Sequence, residues 1–192
     1  MPIPNQAALD FLLSRRSRPA KTLRAPVPDR ATLDMLLTAA ARTPDHGKLE
    51  PWRSIVLGKP ALARLAAMIP ERAAALNIAP DTVETAIPQY RDADLAMVGV
   101  DNPVASEKVP RIEQAYSAGA VCLSLLNATL AAGWGANWLS GWASHDRVFC
   151  EDGVGLAPHE RIAGLIHMGT DANAPPERPR PDLAQKVTWL DA

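Results

Sequence analysis

At 192 residues the chain is long enough for one domain that buries roughly 70% of its unfolded surface. An apolar fraction of 47%, a charged fraction of 21% and a net charge of −1 describe an ordinary soluble globule, with no basic footprint for nucleic acid or a membrane surface. Cys122 and Cys150 lack metal or redox spacing, no basic-then-apolar leader opens the chain, and the longest apolar run (118–133) is too short and polar for a bilayer span, so a reducing cytoplasm is the expected setting.

Residues 5–16 predict an amphipathic helix with Ala8, Leu9, Leu12 and Leu13 on one face. It runs into Arg15, Arg16, Ser17 and Arg18, and Pro19 stops it. Two arginines and a serine at such a joint suit a phosphate cradle, because guanidinium offers a planar fork of donors. They equally suit a basic helix end that complements the helix dipole. A second helix follows over 29–42, with Asp29 as N-cap and Leu33, Leu36, Leu37 and Ala40 as its buried stripe. The connection 42–54 holds Pro44, Gly47 and Pro51 among Arg42, Asp45, His46, Lys48 and Glu50. The prolines fix its path, and Gly47 permits a positive φ or the close approach of a ligand. Such a loop is either a solvated connection or a pre-shaped ligand site, and His46 is either a ligand contact or a core histidine.

A strand covers 53–57 and a helix 61–76, where Leu62, Leu65, Ala66 and Ile69 repeat at helical spacing and Pro70 is expected to interrupt or restart it. Residues 81–91 are ambiguous. Residues 94–100 read as a strand buried on both faces. After Pro110 comes the longest helix. Ile112, Ala115, Gly119, Leu123, Leu126 and Leu130 share one side, and Ala118, Val121, Cys122 and Leu125 the other, so burial all round is expected, in a core or at a dimer interface. Gly119 costs up to about 1 kcal/mol there, which close approach of another helix would justify. Gly133 ends the helix, and 134–141 form a short strand running into a turn. Ser144 is the expected N-cap of a short helix over 145–152, and 161–169 a further strand. Residues 171–182 are a proline-rich extended arm, and 187–190 a last strand. Trp134 and Trp142 read as packing residues.

Pro44, Gly47, Pro51 and Trp52 after a helix make the pattern Pro-x-x-Gly-x-x-x-Pro-Trp, which resembles the signature of the nitroreductase family, the FMN-dependent NAD(P)H oxidoreductases. The usual form has Asn at Lys48 and Gln at Glu50. Arg42, Pro44, Asp45 and His46 resemble the Arg-x-Pro-Asp-His of a small bacterial branch. Arg15, Arg16 and Ser17 resemble the family's N-terminal Arg-x-Ser element, which implies that Arg15 and Ser17, with Arg16 beside them, bind the FMN phosphate and ribityl chain. The resemblance further implies flavin contacts at Arg42, His46, Trp138, Leu139 and Ser140. Leu139 replaces a residue that is often basic in the branch, so only its backbone serves there. The helix end, Ala128, Thr129, Leu130, Ala131, Ala132 and Gly133, is associated in the branch with the nicotinamide, against plain helix packing as the alternative.

The implied fold is α+β: one domain over 1–192, with a mostly antiparallel central sheet flanked by helices. It forms an intertwined homodimer whose C-terminal arm (171–192) reaches the partner. The implied activity is electron transfer from NAD(P)H through the N5 of a tightly held FMN to a nitroaromatic, quinone or similar small acceptor. No acid, base, nucleophile or metal is expected to be essential, because the flavin carries the chemistry. No Gly-x-Gly-x-x-Gly opens a Rossmann site, and the four histidines lack ligand spacing. A non-catalytic flavin-binding dimer, a carrier or sensor, is the competing expectation.

Overall fold

An uninterrupted apolar strand needs a cover on each face, and the Leu95–Asp101 run obtains both. The computed structural model describes residues 2–171 and 175–190. In it β1 (Leu23–Arg24), β2 (Trp52–Gly58), β3 (Leu95–Asp101), β4 (Gly135–Leu139) and β5 (Arg161–Asp171) form one sheet in which every pairing is antiparallel. The order is β1-β5-β3-β2, and β4 also pairs with β5. Leu95 and Met97 of β3 face a core built with Leu33 and Leu36 of α2 (Arg30–Ala40) and Val121, Cys122 and Leu125 of α5 (Arg111–Ala131). Ala96, Val98 and Val100 face the opposite core, with Leu62, Leu65 and Ile69 of α3 (Lys59–Ala75) and Tyr90 of α4 (Pro80–Arg91). Gly99 is what lets α5 lie so close to the sheet, since a Cβ there would overlap Cys122 Sγ.

Local signals account for the helix starts. Asn5 accepts from the Ala8 N–H at the head of α1 (Gln6–Ser14), and Asp29 accepts from Thr32 N at 2.8 Å as expected. α1 buries no residue of its own within the chain; Leu9, Leu12 and Leu13 are exposed.

Several expectations are corrected. α3 passes through Pro70 without a break. Ala66, Ile69 and Ala73 are buried around it, and that packing outweighs the missing N–H. The ambiguous 81–91 stretch is helical and packs on α3. α5 is not buried all round: Ala118, Val121, Cys122 and Leu125 face the core with Gln114, Ser117 and Thr129, while Ile112, Tyr116 and Leu123 are exposed. Among the described residues Gly119 meets no neighbouring helix within 4 Å; a Cβ on it would lie 3.9 Å from the Trp138 ring. Ser144 is not the cap of the next helical segment. It is buried in the 3-10 turn Trp142–His145, and Asp146 Oδ2 accepts from the Phe149 N–H as the chain enters the turn Phe149–Val154.

After β5, residues 175–182 have no regular structure and Leu183–Gln185 makes one 3-10 turn. Residues 187–190 form no strand within this chain, leaving Trp189 and Leu190 81% and 87% exposed. Of the expected arm, 172–174 and 191–192 lie outside the described residues. Among the described residues no helix is long and apolar enough to cross a membrane.

Candidate functional site

Backbone pairing fixes the arginine segment after α1. The Arg18 N–H donates to Ala136 O at 2.8 Å, and Asn137 Nδ2 donates back to Arg18 O at 2.5 Å, so the segment is laced to β4. Arg18 also pairs with Asp171 at 3.5 Å. Arg15 Nη1 donates to Asn127 Oδ1 of α5 at 3.1 Å. The C-terminal segment folds back over this joint, with Arg16 Nη2 donating to Pro176 O at 2.6 Å and Arg180 Nη2 to Leu13 O at 3.0 Å. A cleft of about 450 Å³ results, lined by Arg15, Arg16, Ser17, Arg178 and Arg180 with Pro179 and Pro181. Four guanidinium groups and a hydroxyl around one opening form a strong anion site. Arg16 Nε is buried without a hydrogen-bond partner among the described residues, a donor still owed an acceptor. Arg178 and Arg180 were not singled out from the sequence. Their only signal was a pair of cations in a proline-rich stretch, far along the chain from the motif they join.

A neighbouring cleft of about 420 Å³ contains Arg15, Arg16 and Arg18 together with Leu130, Gly133 and Trp134. It therefore joins the N-terminal arginines to the expected nicotinamide segment at the end of α5, and Trp134 lines an opening rather than a core. Ala131 and Ala132 are exposed, and Ala128 packs against the α2–α5 core. Thr129 is a correction: it is 0% exposed, and its Oγ1 donates to Leu125 O at 2.8 Å, so its side chain has no surface to offer a ligand.

The loop before β2 is held by the other half of α5. Ser117 Oγ donates to Pro44 O at 2.9 Å and accepts from Trp52 Nε1 at 3.2 Å. Thr43 and Ser124 hydroxyls meet at 3.0 Å. Within the loop, Asp45 Oδ2 accepts from the Glu50 N–H at 2.7 Å. Gly47 takes φ +75° as expected, and Lys48 and Glu50 take φ 55° and 49°. Those are left-handed conformations that Asn tolerates better than Lys, so the Asn of the usual motif suits position 48 on backbone grounds alone. His46 is not a core histidine: its ring is 59% exposed, and Nδ1 lies 2.7 Å from Glu113 Oε2 of α5. Together they line a shallow cleft of about 290 Å³ with Tyr116 and Ser117. The Arg42 guanidinium has no partner among the described residues.

Trp138 is half-buried in the α2–α5 core and lies across Gly164 of β5. A Cβ on Gly164 would come within 2.7 and 2.8 Å of ring atoms Cε2 and Cδ1, and closer still to Nε1. Gly164→Ala must therefore displace a rigid indole, and we expect a loss of about 1–3 kcal/mol in a denaturant titration. An unchanged midpoint would show that the ring moves freely. Leu139 stands opposite Leu165, and Ser140 is exposed immediately beyond β4.

Neither cysteine offers a nucleophile. Burial pushes the Cys122 thiol up to about 12 and Cys150 up to about 11, so both stay protonated. Among the described residues no three His, Cys, Asp or Glu side chains gather for a metal ion.

Comparison with known proteins bears on this arrangement. The model of the family described as "Nitroreductase family" matches residues 12–170. The Escherichia coli (strain K12) protein named "Putative NAD(P)H nitroreductase YdjA" is 31% identical over 163 residues, covering 85% of this chain and 87% of that protein. A nitroreductase-like family protein from Bacillus cereus superposes with a TM-score of 0.80 over 100% of both chains at 21% identity. An FMN-dependent nitroreductase from Clostridium difficile does so with a TM-score of 0.68 over 96% of this chain and 99% of the other, at 17% identity. Helices on both faces of an antiparallel sheet, the loop locked onto α5 and a family match spanning most of the chain agree: the protein belongs to the nitroreductase family.

Proposed function

We propose that this protein is an FMN-dependent oxidoreductase that carries electrons from NAD(P)H to a nitroaromatic, quinone or similar acceptor. The observation that carries the reading is the arginine cleft, where Arg15, Arg16, Arg178, Arg180 and Ser17 surround an opening and Arg16 Nε lacks a partner among the described residues. That donor set fits a phosphate dianion. When bound, FMN would supply a two-electron redox centre, so that NAD(P)H, a proton and the oxidised acceptor would become NAD(P)⁺ and the reduced acceptor. The chain's own residues would bind and orient it: the arginines would neutralise the phosphate, Ser17 would add a hydroxyl, and the Trp138, Leu139 and Ser140 edge would border the ring system. His46 has its Nδ1 side engaged by Glu113, and its ring is largely exposed.

The same geometry supports a homodimer. Arg15 is anchored at Asn127 and His46 at Glu113, at opposite parts of α5. At 1.5 Å per residue the anchors are about 21 Å apart along the helix, a long reach for one flavin. A second copy with its α5 antiparallel to the first would bring His46 of one subunit towards Arg15 of the other. The exposed Ile112, Tyr116 and Leu123 of α5 and Leu9, Leu12 and Leu13 of α1 would supply apolar contact area. In this assembly residues 1–192 form one domain, and the arm from 171 onward pairs through 187–190 with the partner. A reducing cytoplasm keeps both buried thiols free.

The test is an absorbance spectrum of the purified protein followed by anaerobic NADH or NADPH. A flavin band that bleaches and returns on adding a quinone or nitroaromatic is the expected result. Bound flavin that never bleaches would instead indicate a carrier or sensor, and no flavin after addition of FMN would overturn the reading.

A further inference from the structure

We propose that His46 and Glu113 form a proton-delivering pair: His46 gives the acceptor the proton that accompanies the hydride, and Glu113 is the positioning residue that fixes which ring nitrogen gives it. This rests on the flavoenzyme reading above and deepens it. The overall reaction consumes a proton, and the arginines offer no donor, since guanidinium keeps its protons. The resemblance implied no essential acid; the geometry of the loop supplies one. His46 Nδ1 lies 2.7 Å from Glu113 Oε2, and the ring is 59% exposed in the cleft that Tyr116 and Ser117 also line. Nε2 has no hydrogen-bond partner among the described residues. An ionised carboxylate only accepts, so Nδ1 carries a hydrogen and Nε2 is the atom left to exchange a proton. Imidazole is the side chain suited to give and regain a proton near neutral pH. The dimer inferred above would bring this loop towards the other subunit's flavin.

The surroundings hold the pair in place from both sides. Glu113 lies in the first turn of α5. The next residue, Gln114, is buried and staples the segment before the helix: its Oε1 accepts from the Val104 N–H at 2.8 Å and its Nε2 donates to Val104 O at 2.9 Å. Val109 of that segment packs on Gly47, where a Cβ would lie 3.4 Å from Val109 Cγ2. On the other side of His46, Ser117 Oγ holds Pro44 O. Asp45, the remaining charged residue lining the cleft, is committed to the Glu50 N–H. Of the three non-glycine residues with positive φ among those described, Lys48 and Glu50 belong to this loop, and such conformations gather where the surroundings over-determine a functional site. For a quinone acceptor the step balances: a hydride carries two electrons from the bound cofactor, a proton leaves His46 Nε2 for the quinone, the product is the hydroquinone, and solvent returns a proton to Nε2.

The experiment is stopped-flow reoxidation of the reduced, FMN-loaded protein by 1,4-benzoquinone, which takes up protons, and by ferricyanide, which takes only electrons. The readout is the ratio of the two rates, so a change in flavin content common to both cancels. His46→Ala should lower the ratio by about 100-fold, and added imidazole should restore most of it. Glu113→Gln keeps an acceptor for the Nδ1 hydrogen and should retain more of the ratio than Glu113→Ala. A second readout is independent of turnover: nitrogen-15 NMR of the oxidised protein, with the ring neutral, should find the His46 hydrogen on Nδ1 in the wild type and move it towards Nε2 in Glu113→Ala. An unchanged ratio in His46→Ala, no rescue by imidazole, or the same tautomer with and without Glu113 would each overturn the assignment. Wild-type protein that holds no flavin, or flavin that NADH never bleaches, would instead fail at the flavoenzyme reading, and the proton donor would fall with it.

Discussion

Protein carrying Arg15→Ala and Arg16→Ala together is expected to purify almost free of FMN. Each guanidinium in the cleft offers charge-assisted hydrogen bonds to a phosphate, worth about 1.5–3 kcal/mol apiece, so losing two weakens FMN by about two orders of magnitude or more. Arg178→Ala and Arg180→Ala should each cost less, because both side chains are exposed and more fully screened by water. The decisive comparison is with riboflavin, which has the ring system and ribityl chain but no phosphate. Fluorescence titration should find riboflavin binding nearly unchanged in the double variant, and the FMN affinity of the wild type should fall as salt is raised. Equal weakening of FMN and riboflavin would mean that the arginines shape the site rather than hold the phosphate. Arg16 also donates to Pro176 O, so its removal loosens the C-terminal segment, and proteolysis of the 175–190 region would report that second effect.

The sequence made some of this architecture plain because local pattern and tertiary demand coincide there. The β3 run has no polar residue before Asp101, and a strand of that kind can only lie between two covering layers. Asp29 and the Arg42 to Trp52 loop were legible for similar reasons, since caps and prolines act within a few residues. Failures came where a distant partner decides. Pro70 breaks an isolated helix, but Ile69 and Ala73 are buried in the core and the helix continues. α5 is apolar around most of its circumference, and only the placement of the sheet determines that Cys122 is inside and Leu123 outside. The same limit applies to the site. Arg15 and Ser17 could be marked from a motif, whereas Arg178 and Arg180 reach the cleft only because the chain doubles back after β5. Glu113 lies 67 residues from His46, and no spacing rule links a loop histidine to that turn of a helix.

Acid should destabilise this protein well above the range in which its carboxylates titrate, and His167 is the cause. The residue lies in β5 opposite Ala96 and Asn137, is 1% exposed, and has neither ring nitrogen paired among the described residues. Burial lowers its pKa from 6.5 to about 4, so the folded protein keeps it neutral while the unfolded chain protonates it. Between those values the unfolded state binds more protons, and the contribution is therefore complete above 6.5 and is lost as pH falls towards 4. From pH 7.5 to 4.5 the loss is on the order of 2–3 kcal/mol. The carboxylates act lower. Arg72 holds Asp146 below its ordinary 3.8, and Arg53 holds Glu160 below its ordinary 4.5, so their contributions fade only beneath those values. His167→Leu replaces the imidazole with an apolar group and should remove most of the slope between pH 6.5 and 4.5. Urea denaturation of both proteins at one protein concentration, at pH 7.5 and pH 4.5, measures it. The wild type should lose on the order of 2–3 kcal/mol more than the variant over that interval. Parallel losses would mean that His167 finds a partner in solution and does not carry the acid sensitivity.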